Sequence, residues 1–164
     1  MAARLVAGEA SRKALRHAAE RVLLIDGDGK SRTGSEVERR VAGVAIALTE
    51  RGLSGQRVGL WYWNSPAAVE AFLAVEWIGG TRVPVDPGAP AAEAAAVFAA
   101  AGVRAVLTDR AHFAEHPDLA LLHDDDEPLT AAGVFESPSV APDTTLMLYP
   151  RMAAHSEFMA VPLS

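Results

Sequence analysis

The chain has 164 residues, a mass of 17.2 kDa and a formal charge of −6, with 15 basic against 21 acidic side chains. Half of it is apolar, 22% is charged and the mean hydropathy is +0.13, which excludes a disordered chain and suits one domain. The absence of cysteine excludes disulfides, thiolate metal sites and a cysteine nucleophile, and the acidic balance argues against a nucleic-acid binder.

Alanine fills 33 positions and aromatic residues only 6%, so the core must be built from small and aliphatic side chains. No stretch is long enough to span a bilayer, and the first residues lack the apolar run of a secretory signal. The expected location is therefore the cytoplasm.

Residues 8–19 read as a short amphipathic helix with Leu15 inside. Arg21 to Ile25 reads as a strand, Asp26-Gly27-Asp28-Gly29 as a turn, and Ser31-Arg32-Thr33 as a returning hairpin strand. Thr33 and Glu36 have capping-box spacing and open a helix that ends at Gly52. Val37, Val41, Val44 and Leu48 form its buried stripe.

The middle of the chain alternates strand and helix. Strands are predicted at 57–63, 81–85 and 103–107, with helices near 35–51, 66–78 and 90–101. Ser65 and Pro66 start the second of these helices, whose inner face is read as Val69, Phe72, Leu73 and Trp77. This βαβ rhythm implies a three-layer α/β fold with a mainly parallel sheet and flanking helices. Further on, Leu119–Leu122 could form a short strand, Leu129–Phe135 a short helix or extended segment, and Ser137–Pro142 a loop. Thr144–Tyr149 reads as a strand that Pro150 ends.

Three groups have metal-ligand character. Asp26-Gly27-Asp28-Gly29 resembles the start of a calcium loop, but Lys30 and Ser31 stand where such a loop needs a carboxylate or amide and a glycine. A hairpin turn is the better reading. The run Asp124–Glu127 reads as a solvated acidic loop rather than a magnesium site. His112 and His116, with Asp118 nearby, read as a surface helix end with two solvated imidazoles rather than a metal site. No nucleophile elbow, zinc-helix motif, dinucleotide fingerprint or P-loop signature is present. The residues by themselves name no catalytic, cofactor-binding or metal-binding side chain.

Several segments in order carry a family resemblance. Ser31-Arg-Thr-Gly-Ser-Glu-Val37 resembles an "L-T-Y-x-E-L" segment. Val75-Glu-Trp-Ile-Gly-Gly-Thr-Arg-Val-Pro-Val-Asp-Pro87 resembles "A-G-x-x-x-V-P-x-[ND]-P". Asn64-Ser65-Pro66, the strand from Val103 to Asp109 and the strand Asp143–Tyr149 fit the same order. Over about residues 12–149 the chain resembles the N-terminal portion of AMP-forming acyl-CoA synthetases and related adenylate-forming (AMP-binding) enzymes. The resemblance implies the N-terminal subdomain of that fold over 1–149. It also implies activation of a carboxylic or fatty acid through acyl-AMP to acyl-CoA, with ATP, Mg and coenzyme A as the full-length family's cofactors.

One departure stands out. The family's phosphate loop is close to "T-S-G-T-T-G-x-P-K-G", whereas Tyr149 is followed here by Pro150-Arg-Met-Ala-Ala-His-Ser-Glu-Phe-Met159. No glycine remains, and Glu157 and Phe158 stand near the Pro-Lys pair. Residues 150–164 are thus expected to be a divergent tail in place of that loop. Two readings follow. In one, the chain is a truncated or degenerate acid–thiol ligase, inactive in isolation. In the other, it is a non-catalytic scaffold or protein-binding module derived from the fold. In either case, self-association or a protein partner is expected at surface the rest of such a fold would cover. The expected patch is Thr144–Tyr149 with the apolar residues Phe158–Leu163.

Overall fold

The computed structural model describes residues 7–125, 135–136, 138, 145–151 and 154–162. Helix α1 (Ala7–His17) leads into a two-stranded hairpin of β1 (Val22–Ile25) and β2 (Ser31–Thr33). The intervening turn is closed by Asp26, whose Oδ1 accepts from the backbone N–H groups of Asp28 and Lys30. Gly29, at φ 82°, supplies the left-handed step that an L side chain resists. The carboxylate of Asp26 is thus committed to its own turn, as a hairpin requires.

Thr33 caps α2 (Gly34–Glu50). Its hydroxyl accepts from Glu36 N–H, and the Glu36 carboxylate accepts from Thr33 N–H, which completes the capping box. Val37, Val41, Val44 and Leu48 are all buried, so the predicted stripe is the one that packs.

Next come β3 (Arg57–Trp61), α3 (Pro66–Trp77), β4 (Thr81–Pro84), α4 (Ala91–Ala100), β5 (Ala105–Thr108), α5 (Arg110–Glu115), β6 (Thr145–Arg151) and β7 (Ala154–Pro162). The second sheet has the order β5-β3-β4-β6-β7. Its first four strands are parallel, and β7 runs antiparallel at one side. Pro84, which lacks a donor, is the last residue of β4.

Side-chain alternation divides the core in two. Val58, Leu60 and Tyr62 with Ala105 and Leu107 pack toward α2 and α3. Trp61, Val83, Val106 and Leu148 pack toward α4, with Val97 and Phe98. The result is the expected three-layer α/β arrangement. Gly59 lies on the α4 side, where a Cβ would stand 2.7 Å from the Phe98 ring, so its missing side chain lets helix and sheet approach closely.

Three element readings need correction. The inner face of α3 is Ala67, Glu70, Ala71, Ala74 and Val75 with Trp77, while Val69 is 41% exposed and Phe72 and Leu73 are half-buried. The helix is apolar nearly all round, so size rather than hydrophobicity decided the packing: alanines let α3 sit close against its neighbours. Second, β6 passes through Pro150 to Arg151 instead of ending there. A proline is tolerated where its nitrogen owes no ladder bond. Third, Leu119–Leu122 contributes a single bridge, Leu122 to Thr108, rather than a strand. The segment read as Leu129–Phe135 lies outside the described residues except Phe135, and the loop Ser137–Pro142 except Pro138.

Candidate functional site at the carboxyl edge of the sheet

In an open parallel sheet, ligands bind beyond the strands' carboxyl ends, at the point where adjacent connections leave on opposite sides. Here β3 leads into α3 on one face and β4 into α4 on the other, so that point lies between the ends of β3 and β4. The chain there is Tyr62 to Ser65 on one side and Val85 to Gly88 on the other.

These loops are locked to one another. Ser65 caps α3 by accepting from Ala68 N–H, and Pro66 takes the first helical position. Trp61 Nε1 donates to the Asp86 carbonyl at 3.1 Å, and Asp86 Oδ1 accepts from Gly88 N–H. Asp109 joins two strand ends: Oδ1 accepts from His112 N–H as the cap of α5, and Oδ2 accepts from Trp63 N–H at 2.9 Å. Thr108 Oγ1 donates to the Trp61 carbonyl.

His112 fills the middle of this edge. It is only 5% exposed and stacks on Trp61 with ring centroids 4.1 Å apart. Its Nε2 stands 2.9 Å from the Pro87 carbonyl. Its Nδ1 lies 3.0 Å from Asp109 Oδ1 but off the hydrogen-bonding direction, so we read that contact as electrostatic proximity and not as a bond. Trp63 covers the outside at 5.8 Å and is 53% exposed. His112 is therefore a packed ring, not a solvated one, which corrects the sequence reading. Helix α5 turns it inward onto Trp61, a contact that sequence spacing does not encode. His116 is half-buried near Trp61, with centroids 6.0 Å apart. No group of three metal-ligating side chains occurs among the described residues.

The acidic run also reads differently in three dimensions. Asp125 Oδ1 accepts from Arg32 Nη2 at 2.7 Å, and Asp124 Oδ2 accepts from Arg110 Nε at 2.6 Å. Both are half-buried partners of arginines rather than members of a solvated loop; Asp126 and Glu127 lie outside the described residues. Behind them is Glu70, with no exposed surface. It accepts from Arg32 Nη1 at 2.6 Å and from Arg40 Nε at 2.8 Å, and its Oε2 is 3.1 Å from His123 Nε2. Burial works to raise the Glu70 carboxyl, but the His123 and Arg40 hydrogen bonds and the charges of Arg40 and Arg32 outweigh it and hold the group below its ordinary value. Nearby, burial pushes the Tyr62 phenol well above its ordinary value, helped by Asp109 and Asp124.

Sequence reasoning missed Glu70 as a buried charge. Its signal was an acidic residue on an otherwise apolar helix face, four residues after Pro66. What this centre can do is hold β2, α2, α3 and residues 122–125 together. Its charges are spent on each other.

Beyond Tyr149, the backbone forms a hairpin. Tyr149 pairs with Met159, Pro150 with Phe158 and Arg151 with Ala154, with a register shift between the last two pairs.

The sequence profile of the family described as "AMP-binding enzyme" matches residues 11–154. The chain belongs to that family. A naringenin synthase from Pestalotiopsis fici is 38% identical over 89 residues, which is 54% of this chain and 3% of that protein. An L-proline–[L-prolyl-carrier protein] ligase from Streptomyces coelicolor is 34% identical over 113 residues, covering 68% of this chain and 20% of the ligase. The chain thus spans a small part of the relatives it matches. Among solved structures, the nonribosomal peptide synthetase FmoA3 in its alpha-methyl-L-serine-AMP bound form superposes with a TM-score of 0.82 at 21% identity. That match covers 97% of this chain and 18% of FmoA3. The N-terminal subdomain of Klebsiella oxytoca NpsA gives 0.76 at 19% identity, covering 96% of this chain and 40% of that subdomain chain. A luciferase-like enzyme from Zophobas morio gives 0.74 at 19% identity, over 88% of this chain and 40% of that one. These likenesses agree with the fold derived above, that of the N-terminal subdomain of adenylate-forming enzymes.

Proposed function

We propose that the chain is the N-terminal portion of an adenylate-forming acid–thiol ligase, and that it does not activate an acid by itself. The observation that carries the first half is the family match over residues 11–154. Enzymes of this kind join a carboxylate to a thiol through an acyl-adenylate. The similarity to a carrier-protein ligase supports a carrier-protein thiol as the acceptor, beside coenzyme A. A reading frame that continues beyond codon 164, or a neighbouring frame encoding the rest of the fold, is the expected finding at the gene. A stop with no such neighbour favours the second reading, a non-catalytic binding module.

The second half rests on residues 150–159. A phosphate cradle needs free backbone N–H groups in a glycine-rich turn. Here there is no glycine, Pro150 has no N–H, and the flanking backbone is paired strand to strand. These residues do not fit the phosphates of ATP. Calorimetry of the purified chain with ATP and Mg2+ is expected to give no binding heat at physiological nucleotide concentration. A low-micromolar dissociation constant overturns this half of the proposal.

A further inference from the structure

Six large apolar side chains are exposed among the described residues, and three of them sit together on β1: Val22 at 52%, Leu23 at 40% and Ile25 at 68%. The hairpin that carries them forms a sheet of its own, so neither of its strands joins the five-stranded sheet. Leu24 packs against the core cluster of α2 and α3. Strict alternation would bury Val22 beside it, but the register shifts between Val22 and Leu24, and this bulge leaves Val22 and Leu23 both exposed. The hairpin is held in place. Arg32 of β2 is buried and binds Glu70 and Asp125 at 2.6 and 2.7 Å, and Asp26 closes the turn. The apolar residues are therefore displayed on a fixed frame, which keeps the ordering cost of a contact low.

Charge selects the partner. The chain carries −6 overall, so two copies repel over most of their surfaces. From Glu20 to Thr33 there are three acidic residues (Glu20, Asp26, Asp28) and three basic ones (Arg21, Lys30, Arg32), so the excess of acid lies wholly outside the hairpin. Glu20, Arg21, Asp28 and Lys30 are exposed and flank the apolar group along the hairpin, two of each sign. A two-fold contact sets one patch against itself, and an apolar centre with a rim of balanced charge suits that arrangement. A strongly acidic or basic partner gains nothing from a neutral face. We propose that two copies of this chain dock hairpin to hairpin, with Val22, Leu23 and Ile25 of each at the centre of the contact. The bulge disturbs the strand's edge, so side chains rather than a continued ladder make the contact. Three side chains from each copy fall short of the roughly 1,200 Å² of a stable interface, so the association is weak and depends on concentration. It uses no substrate or nucleotide, and it stands whether or not the ligase reading holds.

The chain has no cysteine, so a single introduced thiol can form a disulfide only with a second molecule. Val22→Cys, Leu23→Cys and Ile25→Cys are oxidised at high protein concentration beside a control, Ala96→Cys. Ala96 is exposed on α4, across the main sheet from α2, against which the hairpin packs. At least one hairpin variant is expected to form the covalent dimer at least about tenfold faster than the control. Arg21→Glu, added to the fastest variant, makes the hairpin net acidic and is expected to slow it by at least about threefold at low salt. Two results overturn the proposal. One is that all three hairpin thiols crosslink no faster than Ala96→Cys. The other is an unchanged rate on adding Arg21→Glu, because the choice of a second copy rests on the neutral face.

Discussion

Glu70 is charged, has no exposed surface, and meets Arg32, Arg40 and His123 within 3.1 Å. Replacing one member of such a set leaves the others buried and short of a partner. Glu70→Gln is expected to destabilise the fold by about 3 kcal/mol, the lower end for a broken buried pair, because Arg32 keeps Asp125. Urea unfolding at neutral pH measures it. The sign of the pH dependence follows from the lowered Glu70 value. A depressed folded-state carboxyl contributes stability that is full above its unfolded value, near 4.5, and is lost as pH falls through the lowered folded value. The parent chain should therefore lose stability below about pH 4.5, and Glu70→Gln should lose less over the same window. Equal slopes in the two proteins would show that Glu70 does not carry the acid sensitivity.

Helix α2 was legible because local chemistry and burial agree. The capping box is a contact between residues three apart, and the stripe Val37, Val41, Val44, Leu48 is periodic. Both are local patterns. Thr33→Ala removes the hydroxyl that accepts from Glu36 N–H and should cost about 1 kcal/mol. Thermal melts would show it, and Thr33→Ser should recover most of the loss. An unchanged melting temperature in Thr33→Ala would mean that packing alone holds the helix start. Helix α3 was misread because its apolar residues run all the way round. With no polar face to define a direction, periodicity cannot choose the inner side, and the alanines won by allowing close approach.

At the scale of the whole molecule, the order β5-β3-β4-β6-β7 changes what is exposed. The strand of the expected patch, β6, has one edge paired with β7. The side chains of Phe158–Leu163 lie outside the described residues. Apolar side chains exposed elsewhere include Val22, Leu23 and Ile25 together on β1. Adjacent apolar groups of this kind are commonly covered by another chain. This hairpin is the proposed surface through which two copies of the chain associate. Light scattering across a concentration series is expected to show a mass above 17.2 kDa that falls on dilution. A constant mass near 17.2 kDa at every concentration would reject association. Ile25→Lys, at a position 68% exposed, should lower the mass without altering the fold.

The sequence by itself determined the alternation of strand and helix, the capping box, the turn at Asp26 and the family, because each is written in contacts or periods a few residues long. The tertiary structure decided the rest. Arg32, Glu70, His123 and Asp125 come from four separate stretches, and nothing in their spacing announces that they meet. His112 was assigned to solvent because its neighbours in the chain are polar, but α5 turns it onto Trp61. Arg82 sits in an ordinary apolar strand pattern, and only the packing of α3 on β4 buries it beside Glu76 and the Phe72 ring. Burial of a charge and the partners available to it depend on which elements pack together, and that is a property of the folded chain, not of any local run of residues.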